Sequence, residues 1–224
     1  MVVRLDNDIW FPDPRDGEED GLFAVGGDLK VDRLILAYCN GIFPWYAFRE
    51  EDYEEGSHPE ILWYCPMDRY VIFPDKVHIS HSMRTLINSN KYHVTFNQDF
   101  GNVIKNCGDL RKDLEGAWLG PEITEAYTEM HKNNLAYSVE VWDQEENLVG
   151  GLYGVMLGKV FYGESMFSIK PNTSKLALIY LCQVLEHNGF LMVDCQFETP
   201  HLKSMGGEHI SYDQYMELVE KGLD

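Results

Sequence analysis

A strand–helix–strand succession in the C-terminal half narrows the possible folds more than any other part of the sequence. Val160–Met166 is an apolar run typical of a buried strand, Ser174–His187 is helical in character, and Leu191–Cys195 is a short apolar strand. Two strands joined by a crossover helix form a parallel pair that is normally buried on both faces. The pattern therefore predicts an α+β chain with a mixed sheet.

The remaining periodicities predict further strands and helices around this unit. The predicted strands are Lys91–Phe96, Leu135–Trp142 and Asn147–Leu157, the last turning back into Val160–Met166 around Gly158-Lys159. Two helices are predicted, one over Val31–Asn40 with Asp28 as a candidate cap and one from Pro121 to about Lys132. An acidic, turn-rich stretch at 49–60 precedes a predicted domain boundary near Cys65-Pro66, which divides the chain into 1–66 and 67–224.

The overall composition indicates a globular protein that does not cross a membrane. Of its 224 residues 45% are hydrophobic, enough for a sizeable core, and no apolar run approaches the ~20 residues of a bilayer span. The N-terminus lacks the apolar segment of a signal peptide, and the five cysteines form no C-x-x-C pair. We expect a cytoplasmic protein, and a monomer because no heptad pattern is present.

Charge is distributed unevenly along the chain. The net charge is −19, which argues against a general polyanion binder, yet residues 69–112 carry seven basic and three acidic side chains. The stretch is either a chance cluster or a docking surface for a phosphate backbone. Composition alone leaves both alternatives open.

Polar residues follow two of the apolar strands, where ligands of open sheets commonly bind. Glu164 lies near the end of one strand, and Asp194 and Gln196 close the other. Strand alternation would point Asp194 and Gln196 to one side and Cys195 to the other. If the strands are neighbours, the three polar groups could orient and deprotonate an amine nucleophile. The alternative is that both acids only satisfy backbone groups or a helix end.

Other candidate sites have weaker signals. Cys195 with His201 would suit hydrolysis, although a buried structural thiol is the more common case. The glycines at 150, 151 and 154 lie within a strand pattern, where bulges or a close approach explain them better than a phosphate loop. The eight histidines form no metal-binding motif. Trp45 and Trp118 could stack on a base or pack in a core.

An ordered set of short motifs extends from about residue 10 to residue 212. It comprises GLFAVGGDL at 21–29, AY at 37–38, GIFPW at 41–45, ILW at 61–63, AW at 117–118, AY at 126–127, SVEVW at 138–142, LVGGLYG at 148–154, GESMFS at 163–168, NTSK at 172–175, DCQ at 194–196 and HLKS at 201–204. Together these motifs resemble the leucyl/phenylalanyl-tRNA–protein transferase family of the bacterial N-degron pathway.

The resemblance implies both a fold and a reaction. It implies a small N-terminal domain followed by a domain like the Gcn5-related N-acetyltransferases (GNAT). Such an enzyme transfers Leu or Phe, and sometimes Met, from aminoacyl-tRNA to an N-terminal Lys or Arg of an acceptor protein. It needs no metal, acyl-CoA or ATP, because the ester of the tRNA is already activated. The acceptor protein is thereby marked for proteolysis.

Site residues follow from the resemblance by position. Gln196 would contact the acceptor amine, Asp194 would polarise or orient that amine, and Glu164 would hold the aminoacyl group near its own amine. The terminal adenosine and the reacting ester would be framed by Tyr38, Trp45, Trp118 and Tyr127. The donor side chain would enter an apolar pocket of Leu152, Phe161, Met166, Leu178, Leu181 and Val193. Glu164 and Asp194 are also candidates for binding the acceptor's cationic side chain.

This chain departs from the family's usual pattern in places. Tyr64-Cys65 stands for Trp-Ser, Ala117 and Gly120 flank Trp118 in place of threonines, Thr199 replaces a common Asn, and His81 replaces a common Arg. The Thr199 replacement puts any hydrogen bond from that Asn in doubt. The loss of a basic residue at His81, on a background of net charge −19, predicts weaker and more salt-sensitive tRNA binding than in basic relatives. Two other functions remain in view: an acyl-CoA-dependent N-acyltransferase of the same fold, and a non-catalytic module that binds basic N-termini.

Overall fold

The computed structural model describes residues 2–45, 60–109 and 120–224, which form two sheets. The smaller sheet has the order β1-β2-β4-β3, and the larger has the order β11-β5-β10-β9-β8-β7-β6. The strands of the smaller sheet are β1 Val3–Leu5, β2 Leu22–Gly26, β3 Phe43–Trp45 and β4 Leu62–Tyr64. Those of the larger sheet are β5 Asp68–Ile72, β6 His93–Phe96, β7 Ala136–Trp142, β8 Leu148–Leu157, β9 Val160–Ser168, β10 Met192–Asp194 and β11 Glu208–Ser211.

Seven α-helices are described in these ranges. They are α1 Val31–Cys39, α2 His81–Asn88, α3 Phe100–Asp109, α4 Pro121–Lys132, α5 Thr173–His187, α6 Pro200–Ser204 and α7 Tyr212–Leu223. One face of the larger sheet packs on α5, with α2 beyond it, and the other packs on α1, α3 and α4. No helix in the described part of the chain is both long and apolar enough to cross a membrane.

The predicted strand–helix–strand unit is confirmed. Strands β9 and β10 are parallel, with Val193 opposite Phe161, and α5 connects them. Both strands are largely buried, and α5 buries Leu178, Leu181 and Leu185. The helix ends before Gly189, which adopts a left-handed φ of +71°. The chain therefore has the mixed sheet that the sequence predicts.

Other predicted elements are confirmed with small changes at their ends. Helix α4 has the predicted bounds, and its apolar stripe of Ile123, Ala126, Tyr127 and Met130 is buried. Helix α1 buries Leu34, Ala37 and Tyr38 on one face. The prediction that Asp28 caps α1 is wrong, because Lys30 is the cap residue. The Asp28 carboxylate instead accepts bonds from the Lys30 backbone N–H and the Arg33 side chain.

The glycines of β8 allow protein groups to approach closely. A Cβ at Gly150 would lie 2.2 Å from the Thr173 hydroxyl oxygen at the start of α5, and one at Gly154 would lie 2.2 Å from the Tyr162 carbonyl oxygen. Between β8 and β9 the register shifts, so that Gly154 pairs with Gly163 and Tyr153 pairs with Ser165. Glu164 is therefore the extra residue of a β-bulge.

Candidate active site

The site lies where β9 continues beyond the end of β10. The two strands pair up to Asp194 opposite Tyr162, whereas β9 runs on to Ser168. The chain after β10 turns away and leaves a cavity of about 460 Å³ between β9, α5 and the segment 195–202. A cavity at the carboxyl end of a strand, next to a crossover helix, is the expected ligand site of such a sheet.

One wall of the cavity is apolar, and all six predicted pocket residues line it. These are Leu152 from β8, Phe161 and Met166 from β9, Leu178 and Leu181 from α5, and Val193 from β10. Five are almost fully buried in the core, and Met166 is half-buried. The six side chains give the cavity an apolar wall, which suits an apolar substituent of a small molecule.

Glu164 lies on the cavity wall and is held by two tyrosines. The Tyr38 hydroxyl donates to its Oε1 at 2.7 Å, the Tyr127 hydroxyl donates to its Oε2 at 2.9 Å, and the two hydroxyls also contact each other. Burial raises the pKa of Glu164 to about 7, although the hydrogen bonds from the tyrosines oppose this. The carboxyl group therefore changes its charge near neutral pH.

Two predicted positions require correction. Tyr38 and Tyr127 are fully buried and do not line the cavity, so they support Glu164 from behind and have no surface for an adenosine. Their side chains come from α1 and α4, whose apolar faces bury them in the core. Sequence spacing carried no signal of this hydrogen-bonded group.

Aromatic rings surround one end of the cavity. Trp45 lines it together with Phe43 and Phe197, and the Trp45 and Phe197 rings lie 5.4 Å apart at 76°. Tyr64 packs against both Trp45 and Phe197. The predicted Trp118 lies outside the described residues.

The predicted alternation after β10 is wrong. Asp194 is fully buried and does not line the cavity, whereas Cys195 and Gln196 both do. The strand ends at Asp194, and Gln196 adopts a left-handed φ of +60° with its N–H bonded to Asp194 Oδ1 at 3.0 Å. A left-handed residue interrupts the extended backbone, so side chains cannot continue to alternate between the two faces of the strand through Gln196. Such a conformation costs a non-glycine residue about 1–3 kcal/mol.

A buried ion pair that the sequence analysis did not identify holds Asp194. Arg69 Nε donates to Asp194 Oδ1 at 2.8 Å and Nη2 donates to Oδ2 at 2.6 Å, while the Tyr215 hydroxyl donates to Oδ2 at 2.9 Å. Burial by itself lowers the pKa of Arg69, but the Asp194 carboxylate outweighs this and the pKa is raised. Asp194 is thus a paired anion behind the cavity wall.

Cys195 and His201 both line the cavity without forming a nucleophile–base pair. The Cys195 thiol donates to the Val193 carbonyl at 3.7 Å, and burial raises its pKa well above the usual value. His201 Nε2 has no hydrogen-bond partner among the described residues. The thiol is therefore not activated, and hydrolysis by these two residues is not favoured. Nearby, Thr199 Oγ1 accepts from the Leu202 N–H at 3.1 Å and caps α6.

The basic stretch 69–112 is only partly available to a ligand. Arg69 is buried in its ion pair, and Lys76 pairs with Glu208 at 3.0 Å. Arg84, Lys91 and Lys105 are exposed. Arg111 and Lys112 lie outside the described residues.

The fold and the cavity together define an α+β protein whose mixed sheet carries an apolar cavity beside a buried carboxyl group. The sequence matches the family model of leucyl/phenylalanyl-tRNA protein transferase over residues 71–220 and the model of its N-terminal domain over residues 27–67. The chain therefore belongs to the leucyl/phenylalanyl-tRNA protein transferase family.

Two curated relatives match this chain over nearly its whole length. The leucyl/phenylalanyl-tRNA–protein transferase of Maridesulfovibrio salexigens is 44% identical over 100% of this chain and 90% of that protein. The protein of the same name from Pseudomonas fluorescens is 44% identical over 97% of this chain and 93% of that protein.

Two solved structures resemble the chain distantly. L-PGS from Bacillus licheniformis is 12% identical, with a TM-score of 0.46 over 89% of this chain and 72% of that one. An aminoglycoside acetyltransferase from a soil metagenome, in complex with sisomicin, is 14% identical, with a TM-score of 0.40 over 50% of this chain and 80% of that one. These likenesses are too slight to carry a functional argument.

Proposed function

We propose that this protein transfers Leu or Phe, and sometimes Met, from aminoacyl-tRNA to the N-terminal Lys or Arg of acceptor proteins. The observation that carries the proposal is the apolar cavity of about 460 Å³, which Glu164 and Gln196 also line, in a chain of this family. The cavity would hold the donor side chain, and the polar groups would lie beside the reacting ester.

The reaction forms one bond and breaks another without a further co-reactant. The acceptor α-amine attacks the ester carbonyl, the new C–N bond forms, and the bond between the carbonyl carbon and the ribose oxygen breaks. The proton lost by the amine ends on the ribose hydroxyl that leaves. No metal, acyl-CoA or ATP enters this balance, and the proposal includes none.

Each polar residue has a separate proposed role. The Gln196 side chain contacts the acceptor amine, and Asp194 fixes the backbone of Gln196 by accepting its backbone N–H. The Glu164 carboxylate holds the amine of the aminoacyl group, because a buried anion attracts an ammonium strongly. Asp194 is already neutralised by Arg69, so Glu164 is the carboxylate of the two that we assign to direct contact with substrate.

The shape of the pocket supports the proposed choice of donor. Side chains that are unbranched or branched at Cγ, as in Met, Phe and Leu, reach the pocket through a narrow CH₂ group. A β-branched side chain widens next to the ester and would clash with the wall. Differences of one methylene are worth only ~1–3 kcal/mol, so some exchange among similar donors is expected.

The proposal also covers the acceptor proteins, their fate, and the location and organisation of the enzyme. The acidic surface of a chain with net charge −19 suits acceptors with cationic N-termini, and the transferred residue would mark them for N-degron proteolysis. We also propose a cytoplasmic monomer, divided into 1–66 and 67–224. The strands of the smaller sheet end at Tyr64 and those of the larger begin at Asp68, which supports this division.

The two alternative functions have less support. An acyl-CoA-dependent N-acyltransferase needs free N–H groups at the start of a helix for the pyrophosphate. At the start of α5 the Ser174 N–H already donates to Ser168 Oγ at 2.9 Å and the Leu176 N–H to the Asn172 carbonyl at 3.0 Å. A non-catalytic module for basic N-termini would not need the apolar pocket.

The test is transfer of labelled Leu and Phe from charged tRNA to a protein with an N-terminal Arg, with N-terminal Ala as the control. Incorporation only into the Arg protein is expected. Gln196→Ala should lower turnover while tRNA binding is retained. Absence of incorporation by folded wild-type protein refutes the proposal, and transfer from acetyl-CoA instead would establish the first alternative.

A further inference from the structure

Arg69 is a fully buried cation at the junction of three parts of the molecule. It lies on β5, its Nη1 donates to the Gly41 carbonyl at 2.8 Å, and its guanidinium lies 4.8 Å from the centre of the Phe43 ring and 4.7 Å from that of Tyr215. Gly41 and Phe43 belong to the segment that leads to Trp45 on the cavity wall. Arg69 thus joins this segment and α7 to the larger sheet.

The guanidinium also determines the position of the segment that follows β10. Its Nε–H and one Nη2–H donate to the two oxygens of Asp194, and Asp194 Oδ1 in turn accepts the backbone N–H of Gln196. Because Gln196 is in a left-handed conformation, it requires such an external hydrogen bond to stay there. A fork of two parallel bonds fixes both the position and the rotation of a carboxylate, which the ammonium group of a lysine does not do.

We propose that Arg69 is a positioning residue for aminoacyl transfer, acting through Asp194 to hold Gln196 at the reacting amine. The inference rests on the proposed function. It assigns a kinetic role to a residue that does not line the cavity. The acceptor nitrogen must approach the ester carbon to about 3–3.5 Å in the right orientation, and a misplacement of about 1 Å can cost about 100-fold in rate. A loosely held Gln196 therefore lowers the rate even when both substrates are bound.

The experiment is a double-mutant cycle between Arg69→Lys and Gln196→Ala, read as kcat with saturating aminoacyl-tRNA and acceptor. Arg69→Lys alone is expected to lower kcat about 10- to 100-fold, with KM for both substrates within about threefold of wild type. In the Gln196→Ala background the same change should lower kcat by less than about threefold, because its effect passes through Gln196.

Arg33→Lys is the matched control for loss of a buried guanidinium. Arg33 is also fully buried, binds the Asp28 carboxylate and the carbonyls of Asp6 and Asp8, and does not line the cavity. Activities are given per folded molecule, with the folded fraction taken from urea unfolding curves. Arg33→Lys is expected to keep the wild-type kcat per folded molecule.

Tyr215→Phe tests the same network if Arg69→Lys does not fold. It removes one donor to Asp194 Oδ2 and should lower kcat about three- to tenfold, again only when Gln196 is present. The inference is overturned if the double mutant with Gln196→Ala loses kcat by the product of the two single-mutant factors, for Arg69→Lys or for Tyr215→Phe. It is also overturned if neither Arg69→Lys nor Tyr215→Phe lowers kcat. A wild-type protein that transfers nothing refutes the proposed function instead, which separates the two failures.

Discussion

Changing pH across neutrality should switch Glu164 between two states that differ in activity. With a pKa of about 7, this carboxyl group is mostly neutral at pH 6 and mostly charged at pH 8. Since its proposed partner is an amine, kcat/KM should rise through this range. Glu164→Gln removes the charge at every pH, and we expect it to lower kcat/KM at pH 8 about 10- to 100-fold, the effect of losing one charge-assisted hydrogen bond.

The same shift predicts how stability depends on pH. The pKa is about 7 in the folded protein and 4.5 in the unfolded chain, so between these values the folded state binds the proton that the unfolded state has lost. The contribution of Glu164 to the free energy of unfolding is therefore complete below about pH 4.5 and lost as the pH rises to about 7. A difference of two to three units corresponds to about 3 kcal/mol.

Two measurements over pH 5–8.5 test this reasoning. The first is kcat/KM with pre-charged tRNA, corrected for ester hydrolysis without enzyme, and the second is urea unfolding. Glu140→Gln is the matched control, because Glu140 is also fully buried, accepts bonds from the Thr95 and Ser138 hydroxyls, and does not line the cavity. An acceptor α-amine with a pKa of about 8 affects wild type and control alike.

The expected result is an inflection near pH 7 that wild type and Glu140→Gln share and Glu164→Gln lacks. Wild type should also gain stability relative to Glu164→Gln as the pH falls from 7 to 5. Identical pH profiles for wild type and Glu164→Gln, with a stability difference between them that does not vary with pH, refute the reasoning.

Three further changes follow from the structure. Leu178→Ala should lower the free energy of unfolding by about 2–5 kcal/mol and raise kcat/KM for bulkier donors relative to Leu. Leu185 is buried on the same helix but does not line the cavity, so Leu185→Ala should cost as much stability and leave the donor preference unchanged. Gly154→Ala should lower the free energy of unfolding in urea by about 1–3 kcal/mol, because the new Cβ would meet the Tyr162 carbonyl oxygen. Gly101→Ala should not, because a Cβ there would meet no atom within 4 Å outside its own helix and chain neighbours. Arg84→Ala on the exposed face of α2 should reduce the salt slope of tRNA binding by about 1; an unchanged slope would remove α2 from the docking surface.

Several elements could not be predicted from local pattern. The sequence analysis assigned neither β5 nor β11, nor helices α2, α3, α6 and α7, although Ser211 and Gln214 form a capping box at the start of α7 that was a readable signal. Strand β5 alternates poorly because it is buried on both faces between β10 and β11. Its partners are distant in sequence, so nothing within the segment indicates them.

The sequence by itself determined the strand–helix–strand unit, helix α4 and the hairpin around Gly158, because hydrophobic periodicity and turn residues are local properties. The resemblance to a known family also grouped six apolar residues in one pocket, and all six line the cavity. Only the tertiary structure decided that Asp194 pairs with Arg69 and that two tyrosines hold Glu164. These partners lie 125, 126 and 37 residues apart in the sequence. The residues next to a charged or hydroxyl group do not indicate which distant group will bond to it once both are buried.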